Sequence, residues 1–159
     1  MNGTAISSGA GTVPFGFAFV QPSVSFITEA GLSALASYQV NDDGTLDLVT
    51  DAVPDDGKAN CWVVVTKNGR YAYVSNTGSG NISSYTISRD GSVSLLATAA
   101  AASLTAPIDS ALSENSHFLF IREGATGTLA GFRVESDGSL TPAGTVGGVP
   151  AGAQGLAAR

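Results

Sequence analysis

Apolar and polar residues alternate along this chain in short stretches broken by turn residues. Trp62 to Thr66 is a compact apolar run, Lys67-Asn68-Gly69-Arg70 supplies a turn, and Tyr71 to Asn76 alternates large and small side chains. Two runs joined by an Asn-Gly turn predict a β-hairpin. Thr77-Gly78-Ser79-Gly80 then breaks the chain, and Ile82 to Ile87 alternates again. A second hairpin turn at Arg89-Asp90-Gly91-Ser92 leads into Val93 to Thr98 as a fourth strand. Ala99 to Ala102 is too short to hold a helix and reads as a connection towards Pro107.

This unit recurs. Asp43-Gly44-Thr45-Leu46, Asp90-Gly91-Ser92-Val93 and Asp137-Gly138-Ser139-Leu140 stand 47 residues apart, as do Tyr38, Tyr85 and Phe132. Phe26-Ile27, Tyr73-Val74 and Phe120-Ile121 keep the same step, so three copies align without a gap. Four short antiparallel strands per repeat of this length describe a β-propeller blade. The predicted fold is all-β, with repeats over about 14–53, 60–101 and 107–149. Residues 1–13 are expected to supply a strand of an incomplete preceding blade, and 151–159 the opening of a following one. A β-sandwich needs no unbroken repeat of this kind, which favours the propeller.

Closed propellers have about four to eight blades. Three do not close a ring. The chain is therefore expected either to be the C-terminal portion of a longer protein or to associate in copies, as a homo-oligomer that completes the ring. Exposed blade edges invite aggregation, so the edges should be covered.

Of the 159 residues only 13% are charged, against a usual quarter, and 20 are glycine, which suits strands and turns rather than solvated helices. Seven bases against thirteen acids give a net charge of -6, with no basic run. A nucleic-acid partner is excluded on that ground, because backbone phosphates need clustered cations. No apolar run approaches the roughly 18 residues of a membrane-spanning helix, and no leader pattern follows Met1. The single cysteine, Cys61, forms no internal disulfide and builds no thiolate metal site alone. Asn2 and Asn81 match the glycosylation acceptor pattern, which short chains often do by chance.

The unit from Cys61-Trp62 through Tyr71-Ala-Tyr-Val-Ser-Asn76, continued by Gly80-Asn-Ile-Ser-Ser-Tyr85 and Asp90-Gly-Ser-Val93, resembles the seven-bladed propeller lactonases of the 6-phosphogluconolactonase type. Ala36-Ser37-Tyr38-Gln39-Val40 and Gly131-Phe132-Arg133-Val134 carry the same phrasing in the other copies. The likeness extends over about residues 14 to 158. It implies a ring whose N-terminal half is absent here, and hydrolysis of a sugar lactone without a cofactor or metal. Most of the shared residues are turns and core positions, so they mark the blade more strongly than the chemistry.

In a blade, the chain enters the first strand and crosses from the second strand to the third at the same end. The repeat places Glu29, Asn76 and Glu123 at the ends of the second strands, with Thr28, Ser75 and Arg122 just before them. Phe15, Trp62 and Asp109 fall at the starts of the first strands, near Lys58 and Asn60. A polar ring with two carboxylates is expected at that opening. Lactone hydrolysis needs a base for water and a donor for the developing oxyanion. Glu29, Glu123 and Asp109 are the candidate bases and Arg122 the candidate donor. Asn76, Trp62, Lys58 and Asn60 are the expected contacts to a lactone or sugar ligand. Strand period sends Arg122 and Glu123 to opposite faces, so one site does not use both. A solvated or turn-capping role is the commoner fate of such acids, and only Lys58 and Arg122 are near enough to meet a phosphate. His117, the sole histidine, falls on a hairpin turn at the opposite end. Cys61 has no histidine placed to activate it. A non-catalytic propeller module that binds a ligand or partner is the alternative reading.

Overall fold

A computed structural model describes residues 9, 11–20, 23–150 and 152–159. Twelve strands, and no helix, occur among the described residues. Blade 1 holds β1 (Pro14–Val20), β2 (Val24–Glu29), β3 (Ala34–Val40) and β4 (Leu46–Pro54). Blade 2 holds β5 (Asn60–Val65), β6 (Tyr71–Asn76), β7 (Asn81–Ile87) and β8 (Val93–Ala101). Blade 3 holds β9 (Pro107–Leu112), β10 (Phe118–Glu123), β11 (Thr128–Val134) and β12 (Leu140–Gly147). Each blade is an antiparallel sheet with its strands in chain order. The first strands β1, β5 and β9 stand side by side, so the blades stack around an arc with these strands innermost. The fold is thus a partial β-propeller.

Period-2 alternation gives every blade a forward face towards the next copy and a backward face towards the previous one. Between blades 1 and 2, forward-facing Phe26 and Leu35 meet Val63, Val74 and Tyr85. Between blades 2 and 3, Tyr73 and Ile82 meet Leu119, Ile121 and Phe132. Full burial of such side chains stabilises the fold by about 1.5–3 kcal/mol each. Three tyrosine hydroxyls also join neighbouring blades: Tyr85 donates to the Val53 carbonyl (3.1 Å), Tyr71 to Ser136 (3.0 Å) and Tyr73 to Gly138 (2.9 Å). Glycine is required where this stacking is tightest. A Cβ on Gly138, whose φ is 85°, would lie 2.5 Å from the Tyr71 ring, and one on Gly16 would lie 2.3 Å from the Cys61 carbonyl oxygen.

Two details depart from the sequence expectation. The copies do not align without a gap. Phe17 pairs with Ile27 where Val63 pairs with Val74 and Ser110 with Ile121, so β1 is offset by one residue. The connection from Phe19 to its partner Ser25 is one residue shorter than that from Val65 to Ala72, and a deletion inside a turn leaves both flanking patterns intact. Gly16, not Phe15, is therefore the counterpart of Trp62 and Asp109. The alanine run also belongs largely to β8, because Ala101 pairs with Ile82 and is buried in the core between blades 2 and 3. Irregular register between Ile82 and Tyr85 accommodates the added length.

The expectation of a strand over residues 1–13 falls mostly on residues 1–8 and 10, outside the described residues. Thr12 and Val13 form the lead-in to β1.

Candidate functional site

The predicted opening is built three times from the same parts. The chain leading into each first strand pairs with the chain leaving the second: Ala30 and Gly31 N–H donate to Val13 and Thr12 carbonyls, Thr77 and Gly78 to Ala59 and Lys58, Gly124 and Ala125 to Ala106 and Thr105. Val13, Ala59 and Ala106, the residues just before each first strand, all take a left-handed backbone with φ of 52°, 55° and 51°. None is glycine, so this costs energy that the surrounding ladder must hold. Sequence gave no sign of it.

Glu29, Asn76 and Glu123 end the second strands, as the repeat predicts, and pair with Pro14, Asn60 and Pro107. They do not line an open polar ring. Their exposures are 1%, 0% and 7%, because each turns backwards into the lead-in of its own blade. The three environments differ. Glu123 Oε1 accepts from the Thr105 N–H (2.9 Å) and hydroxyl (3.2 Å), and Oε2 accepts from the Thr128 hydroxyl (2.6 Å). Burial pushes this carboxyl up, and those three donors outweigh burial and hold it below its ordinary value. Glu29 is hydrogen-bonded by Thr12, the counterpart of Thr105. The residue opposite it across the turn is Ala34, where Glu123 has Thr128. Glu29 Oε2 is left without a partner, and burial, with the nearby Asp51 charge adding to it, raises the carboxyl above its ordinary value despite Thr12. Asn76 Nδ2 donates to Ser83 Oγ (2.7 Å), and its Oδ1 has no partner.

Asp109 and Arg122 are cross-strand partners, both buried, but neither forms an ion pair. The ion pair among the described residues is Arg133–Glu135, on the surface. Asp109 Oδ2 accepts from Gly155 N–H (2.7 Å) and Leu156 N–H (2.8 Å), and Oδ1 from Ser110 N–H (2.8 Å). Arg122 donates to the Glu123 carbonyl and to the Pro150 carbonyl (2.9 Å), leaving Nε unpartnered. Both side chains hold the C-terminal segment against blade 3. Arg122 and Glu123 face opposite ways, as the strand period requires.

Trp62 is 39% exposed, and Lys58 is exposed with its N–H on Ser79 Oγ (3.1 Å). Asn60 is buried and donates to Asp55 (3.1 Å). Asp55, which sequence reasoning missed, is itself buried and also accepts from Gly57 N–H (2.8 Å), so it pins the lead-in of blade 2. Half-buried Cys61 has Sγ 3.0 Å from the Thr77 hydroxyl, which donates to the Pro107 carbonyl (2.7 Å). His117 is exposed on the β9–β10 turn, at the far end of the blade. Among the described residues no three His, Cys, Asp or Glu side chains gather as a metal site.

The chain belongs to the seven-bladed β-propeller lactonases, whose family model matches residues 24–120. Its fold is shared with a candidate 6-phosphogluconolactonase of Bacteroides fragilis, at a TM-score of 0.79 and 15% identity over 87% of this chain and 40% of that one. The periplasmic gluconolactonase of Pseudomonas aeruginosa is similar at 0.74 and 17% identity, over 90% of this chain and 42% of the other. A virginiamycin B lyase of Staphylococcus aureus also shares the fold, at 0.58 and 14% identity over 85% and 42%. Hydrolases and a lyase on one fold show that the blades alone do not fix the reaction. The chain spans about two fifths of the length of these structures. No curated protein matches the sequence.

Proposed function

We propose that this chain contributes three blades to a lactonase-type hydrolase that opens a sugar lactone with water, and that Glu29 is its proton acceptor. Family membership supplies the reaction class. The observation that carries the assignment is the state of Glu29: a buried carboxyl with a free Oε2 and a raised proton affinity. A base is most effective when its pKa approaches the working pH. Glu29 takes a proton from water as the water oxygen bonds to the lactone carbonyl carbon. The tetrahedral intermediate then expels the ring oxygen, which receives that proton, and a hydroxy acid results. Trp62 and Lys58, the exposed members of the candidate set, suit the sugar face and its hydroxyls. Asn60 and Asn76 are buried and hold Asp55 and Ser83. Glu123, Asp109 and Arg122 act as positioning groups, since their polar atoms are engaged by the chain itself.

Gluconolactone hydrolysis tests this. Glu29→Gln should lower kcat at least tenfold with the fold intact, and wild-type activity should rise with pH through a midpoint above the ordinary glutamate value of about 4.3. Unchanged turnover in Glu29→Gln overturns the assignment.

A second reading is a propeller module that binds a ligand or partner without turning it over. The engagement of Glu123, Asp109 and Arg122 by backbone groups favours it. Calorimetric binding of gluconolactone with no hydrolysis selects this reading.

A further inference from the structure

At the end of the blades away from the candidate site, a cleft of about 500 Å³ opens between blades 2 and 3. Both of its walls belong to blades packed on each other inside the chain, the β5–β6 turn on one side and the β9–β10 and β11–β12 turns on the other. Lys67 and Arg70 enter it from blade 2 and His117 from blade 3; all three are exposed, and none forms an ion pair among the described residues. Two of the seven lysines and arginines and the sole histidine thus share one opening, in a chain with thirteen acids. Glu135, the acid that lines the cleft, is already taken, because its Oε1 accepts from Arg133 Nε (2.8 Å) and Nη2 (2.8 Å). Asp137 on the same turn is capped by Ser139, and Glu114 opens on a neighbouring groove. The neutral neighbours present donors as well. Asn68 Oδ1 accepts from the Thr66 hydroxyl (2.8 Å) and the Arg70 N–H (3.1 Å), and Asn115 Oδ1 from the Ser113 hydroxyl (2.8 Å) and the His117 N–H (3.0 Å). Each amide therefore keeps its oxygen on its own turn and has its N–H groups to offer.

We propose that this cleft binds a phosphate group, held by Lys67, Arg70 and His117. The walls are set before any ligand arrives: Lys67 N–H donates to Ser116 Oγ (2.9 Å) and the Tyr71 hydroxyl to the Ser136 carbonyl (3.0 Å), tying blade 2 to blade 3. Arg70 lies over the Tyr71 ring, 5.3 Å from its centroid, with Nη2 on the Tyr71 hydroxyl (3.3 Å). That contact lowers the cost of ordering the guanidinium, whose remaining N–H groups stay open. A fixed guanidinium fork, an ammonium and a ring N–H that imidazole presents in either charge state together match a doubly charged oxyanion. A lone carboxylate has too little charge and too few oxygens to use this set, whereas a phosphate has three acceptor oxygens and nearly twice the charge. The donor set is no general property of the repeat. Arg70 also borders the cleft between blades 1 and 2, but blade 1 lines that one with Val20, Ser23, Val24, Phe26 and Gln39, none of them basic, and Asp90 stands in its wall. The site lies at the opposite end of the blades from Glu29 and does not rest on the catalytic reading.

Isothermal titration of the chain with inorganic phosphate at neutral pH, with sodium chloride holding the ionic strength constant, tests the proposal without reference to catalysis. One site should saturate with a Kd below about 10 mM. Lys67→Gln and Arg70→Gln, made separately, should each weaken binding at least about tenfold, the loss of one charge-assisted hydrogen bond. Lys58→Gln removes the same unit of charge at the other end of the blades and should leave the affinity within a factor of about two. Circular dichroism checks that each variant keeps its strands, and Lys67→Gln leaves the contact of Arg70 with Tyr71 in place, so its loss does not report packing. Glucose 6-phosphate, titrated alongside, identifies the source: tighter binding than inorganic phosphate assigns the cleft to a phosphate ester, equal or weaker binding to the free ion. Heat that does not saturate, an affinity that either cleft variant retains, or an equal loss in Lys58→Gln overturns the proposal.

Discussion

Glu29 and Glu123 occupy the same place in blades 1 and 3, and they behave as opposites. Both end a second strand, both are buried, and both are met by a threonine from the lead-in loop. The residue across the turn decides the rest. Thr128 completes the shell around Glu123, whereas Ala34 offers Glu29 only a methyl group. One carboxylate is thereby a pin between loops and the other retains a free oxygen and a higher proton affinity. A repeat protein can thus spend one position on structure in one blade and release it in another by changing a single neighbour. A residue's role is set by the donors around it more than by its place in the repeat.

The largest test removes the pin. Glu123→Ala strands the Thr105 N–H and takes one partner from the Thr105 and Thr128 hydroxyls, which keep Thr126, and should cost about 2 kcal/mol in urea denaturation at neutral pH, while Glu29→Ala should cost well under half of that. Equal losses would erase the distinction. Converting one environment into the other comes next. Thr128→Ala should destabilise by about 1.5 kcal/mol and raise the Glu123 midpoint, and Ala34→Thr should stabilise by about 1 kcal/mol and lower that of Glu29, both read by NMR titration. The smallest effect is the pH dependence of stability, and its signs are opposed. Glu123, held below its unfolded value, adds stability that is present above that value and lost as pH falls through its folded midpoint. Glu29, raised above its unfolded value, adds stability that is present at low pH and lost as pH rises through its folded midpoint. In Glu29→Gln the second loss should vanish from the denaturation midpoints.

Much of this was legible in the chain because the signals are local. Asp-Gly turns and period-2 alternation mark each strand, and the 47-residue step carries Glu29, Asn76 and Glu123 to equivalent strand ends. The opposed directions of Arg122 and Glu123 also follow from the period alone. What stayed hidden depends on contacts distant in sequence. The capture of Asp109 by Gly155 and Leu156 spans 46 and 47 positions, and the capping of Glu123 by Thr105 spans 18. Burial of the strand-end acids follows from those loops folding over them, which no local pattern records. The one-residue offset of β1 lies in a turn, where length changes leave no trace in the alternation.

The most direct measurement of the central claim is a carboxyl-carbon NMR titration that follows Glu29 and Glu123 in one sample. The account predicts a Glu29 midpoint above about 4.3 and a Glu123 midpoint below it. Coincident midpoints, or the reverse order, would contradict the claim that Ala34 and Thr128 divide the two blades into a free carboxylate and a structural one.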